Sequence, residues 1–487
     1  MQLSALLGPE TSCEGDPSGL EIEGLTPDSR AVRPGYLFAA LAGSRADGAR
    51  FVADAVAAGA VAILAGPDAA IAVPPGMCVL RAPEPRRALA LMAARFHGDQ
   101  PATVVAITGT NGKTSIAEFT RQIFAACGRQ AASLGTIGVV RPDGAVYGSL
   151  TTPDPVTLQA TMAGLARDGV THLALEASSH GLDQFRLDGV RLTAAAFNNL
   201  GRDHLDYHPT IEAYLNAKLR LFRELMQPGQ PVVVNADGAY ADAAIAAARA
   251  RGLEVMTTGH AGETLRLVRV ERNGFRQQIE VEHAGRTHAC ELALIGDYQA
   301  GNALVAAGLA MACGETADAA LAALPSLAGV KGRLEVVGEV RGGIAVVDYA
   351  HKPEALEAAL DALRPFATGR LICVVGCGGD RDRGKRPIMG RIGATKSDVL
   401  IVTDDNPRSE RPEAIRAEIL AGAPGAREIG DRAEAIQAAV ALLGKGDVLL
   451  VAGKGHETGQ IVGDTVLPFS DQEETLAAIR GIEGNRG

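Results

Sequence analysis

Short apolar runs alternate along this chain with stretches whose apolar residues recur at helical spacing. Near the start, Tyr36–Leu41, Val61–Leu64 and Met77–Leu80 read as strands, while Phe51–Gly59 and Arg86–Phe96 carry a helical pattern. Gly98-Asp-Gln-Pro101 reads as a linker. Thr103–Thr108, apolar and β-branched, then runs into a glycine-rich loop. Ile116, Phe119 and Ile123 predict a helix over Ser115–Cys127 with Gly128 as its stop. His172–Glu176, Thr193–Phe197 and Pro231–Val234 are further strands separated by helical stretches, which predicts a mostly parallel sheet. Residues Glu254–Glu291 alternate apolar with polar and hold an Asn273-Gly274 turn, so antiparallel strands are expected there. An Ala-rich helix, Asn302–Cys313, and the segment around Pro325–Gly332 lead to a third set of strands: Ile344–Val347, Leu371–Val375, Val399–Val402 and Val448–Val451. The expectation is an α/β chain of three domains: a small N-terminal one over 1–99, a central mostly parallel one with added antiparallel strands over 100–328, and a C-terminal one over 329–487.

Length and charge narrow the function. At roughly 100–200 residues per domain, 487 residues allow two to four domains. The balance of 47 basic against 57 acidic side chains, net −10, excludes the basic surface of a general nucleic-acid binder. A hydrophobic content of 47% excludes wholesale disorder. The Ala-rich run from Val52 to Ala65 is too short to span a membrane and is interrupted by Asp54, and Met1–Glu10 lacks the pattern of a signal peptide. Seven scattered cysteines without a C-x-x-C pair suit reduced thiols, so a cytoplasmic protein is expected. Only eight residues are lysine; the chain otherwise uses arginine for positive charge. Lysine is a compact point charge and a possible carbamate former, so among the lysines beside Gly, His or Pro, residues 113, 331, 352, 385 and 454 draw attention.

The strongest motif is Thr108-Gly-Thr-Asn-Gly-Lys-Thr114 between a strand and a helix. Its glycines let backbone N–H groups face a phosphate, Lys113 supplies a point charge, and Thr114 can ligate Mg²⁺. Ile107 stands where the first glycine of the common phosphate-loop pattern would be. Glu176 ends a strand, where a carboxylate reads either as a metal ligand beside the phosphates or as part of a helix cap with Ser178 and Ser179. Asn198–His208 is a second polar cluster, with Asp203, His204, Asp206 and His208, and Lys218 lies on the following helix. The third set of strands ends in polar loops: Asp348–Pro353, Gly376–Lys385, Thr403–Arg408 and Gly453–Glu457. Arg381, Arg383, Lys385 and Arg408 there suit carboxylates, and Asp405 and Glu457 suit an ammonium, a mixture that fits an amino acid. No Ser-His or Cys-His nucleophile stands out.

Together these motifs resemble the ATP-dependent Mur ligases of peptidoglycan synthesis, most closely their diaminopimelate-adding branch. The match runs in order through Thr26–Arg30, the phosphate loop, Thr151–Pro153, Glu176–Gly181, Asn199–His208, Lys218, Asn302, Gly332-Arg333, Asp348–Pro353, Gly378–Pro387, Asp405–Arg408 and Gly453–Glu457. The resemblance implies a UDP-sugar domain, a central ATPase domain with a phosphate loop, and a C-terminal Rossmann-like domain for the entering amino acid. It implies contacts to the UDP moiety from Ser29, Ser44, Arg45 and Ala46, although Ser44-Arg45 stands where the family has His-Gln. Thr151, Thr152, Ser178, Gln184 and Arg186 are implied to hold the muramoyl dipeptide. For ATP it implies Gly109, Thr110, Asn111, Gly112, Lys113, Thr114, Ser115, Asn302, Arg333, Asp348 and His351. Two Mg²⁺ ions fall to Thr114, Glu176, His204 and a carbamate on Lys218, and Lys113, Lys218, His204 and Glu176 form the catalytic set. The amino-acid site is implied to comprise Arg381, Asp405, Asn406, Pro407, Arg408, Gly453 and Glu457, the final Arg of the tetrad marking the diaminopimelate branch over the lysine branch.

The activity so implied is ATP-dependent joining of meso-2,6-diaminopimelate to UDP-N-acetylmuramoyl-L-alanyl-D-glutamate through an acyl phosphate, hence a role in cell-wall growth, shape and division. A cytoplasmic monomer with no nucleic-acid or membrane partner is expected. Lysine-adding or folylpolyglutamate-type ligases are the enzymatic alternatives; a nucleotide-gated scaffold is the non-enzymatic one.

Overall fold

A computed structural model describes residues 1–43, 47–146, 151–201, 203, 207–273, 275–296 and 298–484. The chain divides into two compact units, Met1–Thr264 with Val305–Ala320, and Leu265–Leu304 with Leu321–Gly487. Among the described residues no helix is long and apolar enough to cross a membrane.

The first unit holds two sheets. One has five strands in the order Ser12–Glu14, Cys78–Arg81, Ala60–Ala65, Tyr36–Ala39, Gly24–Thr26, parallel except for the first. Leu3, Leu37, Leu64, Leu80, Leu89 and Met92 pack together on one of its faces. The other sheet is built around Thr103–Thr108, with His172–Glu176 and Ala194–Phe197 parallel on either side. Val104–Ile107 are fully buried, as expected of a parallel strand covered on both faces. The helix Lys113–Ala126 that follows ends as its sequence predicts: Gly128 takes φ +81° and Arg129 N–H donates to the Phe124 carbonyl at 2.9 Å, closing the last turn.

Two strand expectations change. Glu254–Gly259, read as antiparallel, pairs parallel with Pro231–Asn235. The helix Ala241–Ala250 lies between them, and a helical crossover returns the chain in the same direction. Alternation of apolar and polar residues reports a half-buried strand and carries no direction. The strands Ala131–Gly135, Gly138–Arg141 and Gly144–Val146 were not expected; the first joins the parallel set and the next two form an antiparallel meander.

In the second unit Leu265–Asn273, Arg276–His283 and Arg286–Leu292 are antiparallel, as the Asn273-Gly274 signal indicates. A six-stranded sheet follows in the order Glu335–Val340, Gly343–Asp348, Val448–Ala452, Leu371–Val375, Val399–Val402, Arg427–Glu428, parallel except for its first strand. Leu356, Leu360 and Ile419 belong to one core layer and Ile436, Val440 and Ile479 to the other, so helices cover both faces. The four adjacent strands of its middle end in the four polar loops, which places those loops side by side at the carboxyl edge. A separate hairpin, Gly459–Val462 with Thr465–Pro468, was not expected.

A fully buried ion pair ties the sheet to the C-terminal helix Asp471–Gly484: Arg432 Nε and Nη2 donate to the Asp471 carboxylate at 2.7 and 2.8 Å. Arg432→Leu strands a buried carboxylate and is expected to cost about 3–5 kcal/mol. Thermal unfolding checks this: the single variant should melt well below the wild type, and Arg432→Leu/Asp471→Leu should regain most of the loss. A single variant that melts like the wild type would contradict the assignment.

Candidate active site

Thr103–Thr108 delivers the phosphate loop at the centre of its sheet. Gly109 has φ +154° and Gly112 φ +84°, both costly for a side-chain-bearing residue. A methyl on Gly109 would lie 3.2 Å from Asn198 Cβ and 3.3 Å from the Asn199 backbone, so the loop approaches the neighbouring strand end too closely for anything larger. Those asparagines hold it there. Thr110 N–H donates to the Asn199 carbonyl and Asn111 N–H to Asn199 Oδ1, each at 2.9 Å, while Asn198 Nδ2 donates to the Asn111 carbonyl at 3.0 Å. Asn235 Nδ2 in turn donates to Asn198 Oδ1 at 2.9 Å. The polar stretch after Phe197 is plain in the sequence; that its first two residues, together with Asn235, brace the loop is a finding of the structure. Position directly after a strand was the available signal.

Lys113 Nζ donates to the carbonyls of Gly109 and Thr110, both at 2.9 Å. Lys218, on the helix Ile211–Arg220, reaches the same Gly109 carbonyl at 2.8 Å and lies 4.5 Å from the centre of the Tyr214 ring. Its side chain is 1% exposed. Burial, then the neighbouring Lys113 charge, hold its pKa well below the ordinary 10.5, with Asp203 opposing. A lysine so placed favours the neutral amine. His204 lies outside the described residues.

The Glu176 carboxylate, 1% exposed, accepts from Thr136 N–H at 2.8 Å and Thr136 Oγ1 at 3.2 Å. It caps no helix; Ser178 does, its Oγ accepting from Gly181 N–H at 3.0 Å. Thr151 Oγ1 meets Thr136 Oγ1 at 3.0 Å, and Thr152 Oγ1 meets Ser178 Oγ at 3.0 Å. Arg186 donates to the Thr152 carbonyl at 2.6 Å and to Gln184 Oε1 at 2.8 Å. The structure therefore brings Thr151, Thr152, Ser178, Gln184 and Arg186 together beside Glu176. Tyr207 joins this group unannounced, accepting from Gln184 Nε2 at 3.2 Å. Ser29 sits on the short turn Ser29–Ala31, capped by Asp28. Ser44, Arg45 and Ala46 lie outside the described residues.

In the second unit Asp348 ends its strand and accepts from Leu334 N–H at 2.7 Å; burial lifts its carboxyl to about 6, against the pull of Arg333. Arg333 and His456 both face the Tyr349 ring, at 5.3 and 4.9 Å, and His351 donates from Nδ1 to the Tyr349 carbonyl at 2.8 Å. Arg333, Asp348 and His351 are thus one cluster. Asn302 is buried and donates to Gln299 Oε1 at 3.0 Å.

The loops Thr403–Arg408 and Gly453–Glu457 form a network of opposite charges. Asn406 Nδ2 donates to Glu457 Oε2 at 2.9 Å, and Lys454 Nζ donates to Asn406 Oδ1 at 2.8 Å, with Glu457 at 3.3 Å and Asp405 at 3.7 Å. A methyl on Gly453 would lie 2.6 Å from Asp405 Oδ2, and one on Gly378 would lie 2.8 Å from Arg408 Nη1. Arg408 donates to the Gly379 carbonyl at 2.9 Å. Pro407, between Asn406 and Arg408, completes the tetrad. Arg383 and Lys385, grouped from sequence with the anion-suited residues, already have partners within the chain. Arg383 pairs with Glu418, and Lys385 donates to the His351 carbonyl at 2.7 Å. Arg381, bonded to the Asp380 carbonyl at 3.0 Å, keeps its expected place in the loop. Fully buried Lys454 shares this network although the expected set leaves it out; its neighbours in Gly453–Glu457 were the signal.

Comparison with known proteins decides the family. Residues 21–97 match the Mur ligase family catalytic domain, 107–310 the Mur ligase middle domain, and 332–455 the Mur ligase glutamate ligase domain. The chain belongs to the Mur ligase family. It is 59% identical over 485 residues (98% of this chain, 99% of the relative) to the UDP-N-acetylmuramoyl-L-alanyl-D-glutamate–2,6-diaminopimelate ligase of Bradyrhizobium diazoefficiens. It is 58% identical over 468 residues (96% and 95%) to the like-named protein of Agrobacterium fabrum. A solved structure of a UDP-N-acetylmuramoyl-L-alanyl-D-glutamate–2,6-diaminopimelate ligase superposes with a TM-score of 0.70 at 33% identity, covering 95% of each chain.

In this Mur ligase the groups near the phosphate loop suit a hard dication. Glu176 offers a fixed carboxylate, and Thr108 carries a buried hydroxyl oxygen with no hydrogen-bond partner among the described residues. No group of three or more His, Cys, Asp and Glu gathers among the described residues. Magnesium is commonly held by one or two carboxylates, with phosphate and water oxygens completing its shell, and the donors here fit that habit. A methyl at Gly135 would overlap the Glu176 carboxylate. Gly135→Ala should therefore raise the Mg²⁺ concentration for half-maximal ADP release by about tenfold. An unchanged Mg²⁺ dependence would remove Glu176 from the metal site.

Proposed function

We propose that this Mur ligase joins meso-2,6-diaminopimelate to the free D-glutamyl carboxylate of UDP-N-acetylmuramoyl-L-alanyl-D-glutamate, forming ADP and phosphate, in the cytoplasm and as a monomer. The observation that carries the reading is the 59% identity across 98% of the chain, together with an intact Asp405-Asn-Pro-Arg408 corner. The proposed division of labour follows the sequence: 1–99 for the UDP-sugar, 100–328 for ATP, 329–487 for the amino acid.

The γ-phosphoryl of ATP passes to the glutamyl carboxylate, giving an acyl phosphate. The amine of diaminopimelate attacks its carbonyl carbon, and the tetrahedral adduct expels phosphate to leave the amide. Both reactants of the first step are anionic, so charge repulsion is a large part of its barrier. Residues 109–115 are assigned to bind the phosphates, with Lys113 offsetting their charge. Asn302, Arg333, Asp348 and His351 are assigned to the rest of the nucleotide. Ser29 and 44–46 take the UDP end, and Thr151, Thr152, Ser178, Gln184 and Arg186 orient the dipeptide. Mg²⁺, for which Thr114, Glu176, His204 and carbamylated Lys218 are the proposed holders, supplies further charge neutralisation. Arg381, Asp405, Asn406, Arg408, Gly453 and Glu457 hold diaminopimelate, Arg408 facing the carboxylate that lysine lacks.

Carbamylation of Lys218 has physical support. Its neutral amine adds to CO₂ with loss of one proton, and the resulting anion replaces a second cation beside Lys113. An ammonium whose folded pKa lies below 10.5 costs stability at every pH beneath that folded value, and the cost fades as pH rises toward 10.5. Bicarbonate at pH 8 should therefore raise the unfolding temperature of the wild type and leave Lys218→Ala unmoved. A bicarbonate shift equal in both would dismiss the carbamate.

The reaction itself is tested by ADP release with the UDP-muramoyl dipeptide and a panel of amino acids. Diaminopimelate should stimulate turnover and lysine should not. Arg408→Lys should weaken diaminopimelate at least about tenfold while leaving the KM for ATP within about twofold. Stimulation by lysine or glutamate in preference to diaminopimelate would transfer the chain to another branch.

A further inference from the structure

The hairpin formed by Gly459–Val462 and Thr465–Pro468 is not part of the six-stranded sheet. A lone two-stranded hairpin is marginally stable in water, so what it grips matters. Its inner side is bonded along the Asp405–Arg408 tetrad. Gln460 Nε2 donates to the Asp405 carbonyl at 2.7 Å, and Ile461 N–H donates to Asn406 Oδ1 at 2.9 Å. Arg408 N–H donates to the Ile461 carbonyl at 3.0 Å, and Gly463 N–H donates back to the Arg408 carbonyl at 2.8 Å. Arg408 and Val462 thereby form a parallel bridge outside any regular ladder.

Arg408 itself has φ +53°, a left-handed conformation that a residue with a long side chain rarely adopts. Such a conformation persists when surrounding bonds over-determine it, and here both of its backbone groups are pinned by the hairpin. That twist sends Nη1 to the Gly379 carbonyl at 2.9 Å, within the corner that Gly378 keeps open.

We propose that the hairpin is a specificity element: it locks Arg408 in its left-handed conformation so that the guanidinium meets the distal carboxylate of the entering amino acid, with Gln460 as the positioning residue that anchors hairpin to tetrad. This rests on the diaminopimelate reading above. Gln460 touches no reacting atom. It bonds the backbone at one end of the tetrad, while Arg408 does the recognition at the other.

The test is a double-mutant cycle in steady-state kinetics, using diaminopimelate and lysine as amino acids. Loss of one neutral hydrogen bond predicts about a fivefold rise in the KM for diaminopimelate in Gln460→Ala, a matching fall in preference over lysine, and a KM for ATP within about twofold of wild type. In an Arg408→Ala background the same change should shift the diaminopimelate KM by less than about twofold, because the side chain it positions is gone. Gln460→Lys keeps a donor and should recover most of the preference. An equal penalty in both backgrounds, a fall in kcat without a rise in that KM, or no effect at all would each overturn the proposal. A wild type that turns over with diaminopimelate while Gln460→Ala is indifferent defeats the hairpin role alone. A wild type that ignores diaminopimelate defeats the functional reading as well.

Discussion

Two lysine side chains meet at one backbone oxygen: Lys113 and Lys218 both donate to the Gly109 carbonyl, at 2.9 and 2.8 Å, with Lys218 almost fully buried. Two ammonium groups so close repel each other, and the burial of Lys218 weakens the screening that solvent gives a surface pair. The neighbourhood therefore favours whatever removes positive charge from Lys218 or adds negative charge beside Lys113. Loss of a proton, capture of CO₂ and binding of phosphates all answer the same electrostatic demand. The asparagine braces on the loop keep that demand in place, because a loop free to relax would let the two cations separate.

Elsewhere the charged groups fall into two kinds. Arg432 with Asp471, and Arg386 with Glu410 and Glu418, are scaffolding: their guanidiniums are fully buried and bonded in fixed forks. The corner proposed for the amino acid is looser in chemistry, with Asp405, Glu457, Lys454 and Asn406 sharing one polar network. Mixed charge of that kind binds a zwitterion without leaving a large net charge when the site is empty, and the buried ammonium of Lys454 balances carboxylates that would otherwise stand together.

The candidate site was legible wherever its residues follow a strand directly. Glu176 and Asp348 end continuous apolar runs and Asp405 stands three positions past another, so a parallel strand delivers each to the carboxyl edge of its sheet. Residues that act from a distance were not legible. Nothing in local sequence shows that Asn198 and Asn199 brace a loop nearly ninety positions earlier, or that Gln460 reaches back to Asp405. The partners of Arg383 and Lys385 were equally hidden: a basic loop looks alike in sequence whether or not its charges meet Glu418 and the His351 carbonyl.

Sequence alone determined the central strands of the parallel sheets and the helix after Thr103–Thr108, the glycine-rich loop between that pair, and the order of motifs that marks the family, because these depend on local spacing and on residue types that neighbours in the chain constrain. Tertiary structure decided strand direction at Glu254–Gly259, the left-handed conformation of Arg408, and the burial of Lys218 beside Lys113. Each of these is set by groups outside the segment itself: a crossover helix with the strand before it, a hairpin, and a second lysine at a shared carbonyl. Their energies come from burial and from through-space charge, which only the folded chain brings to bear.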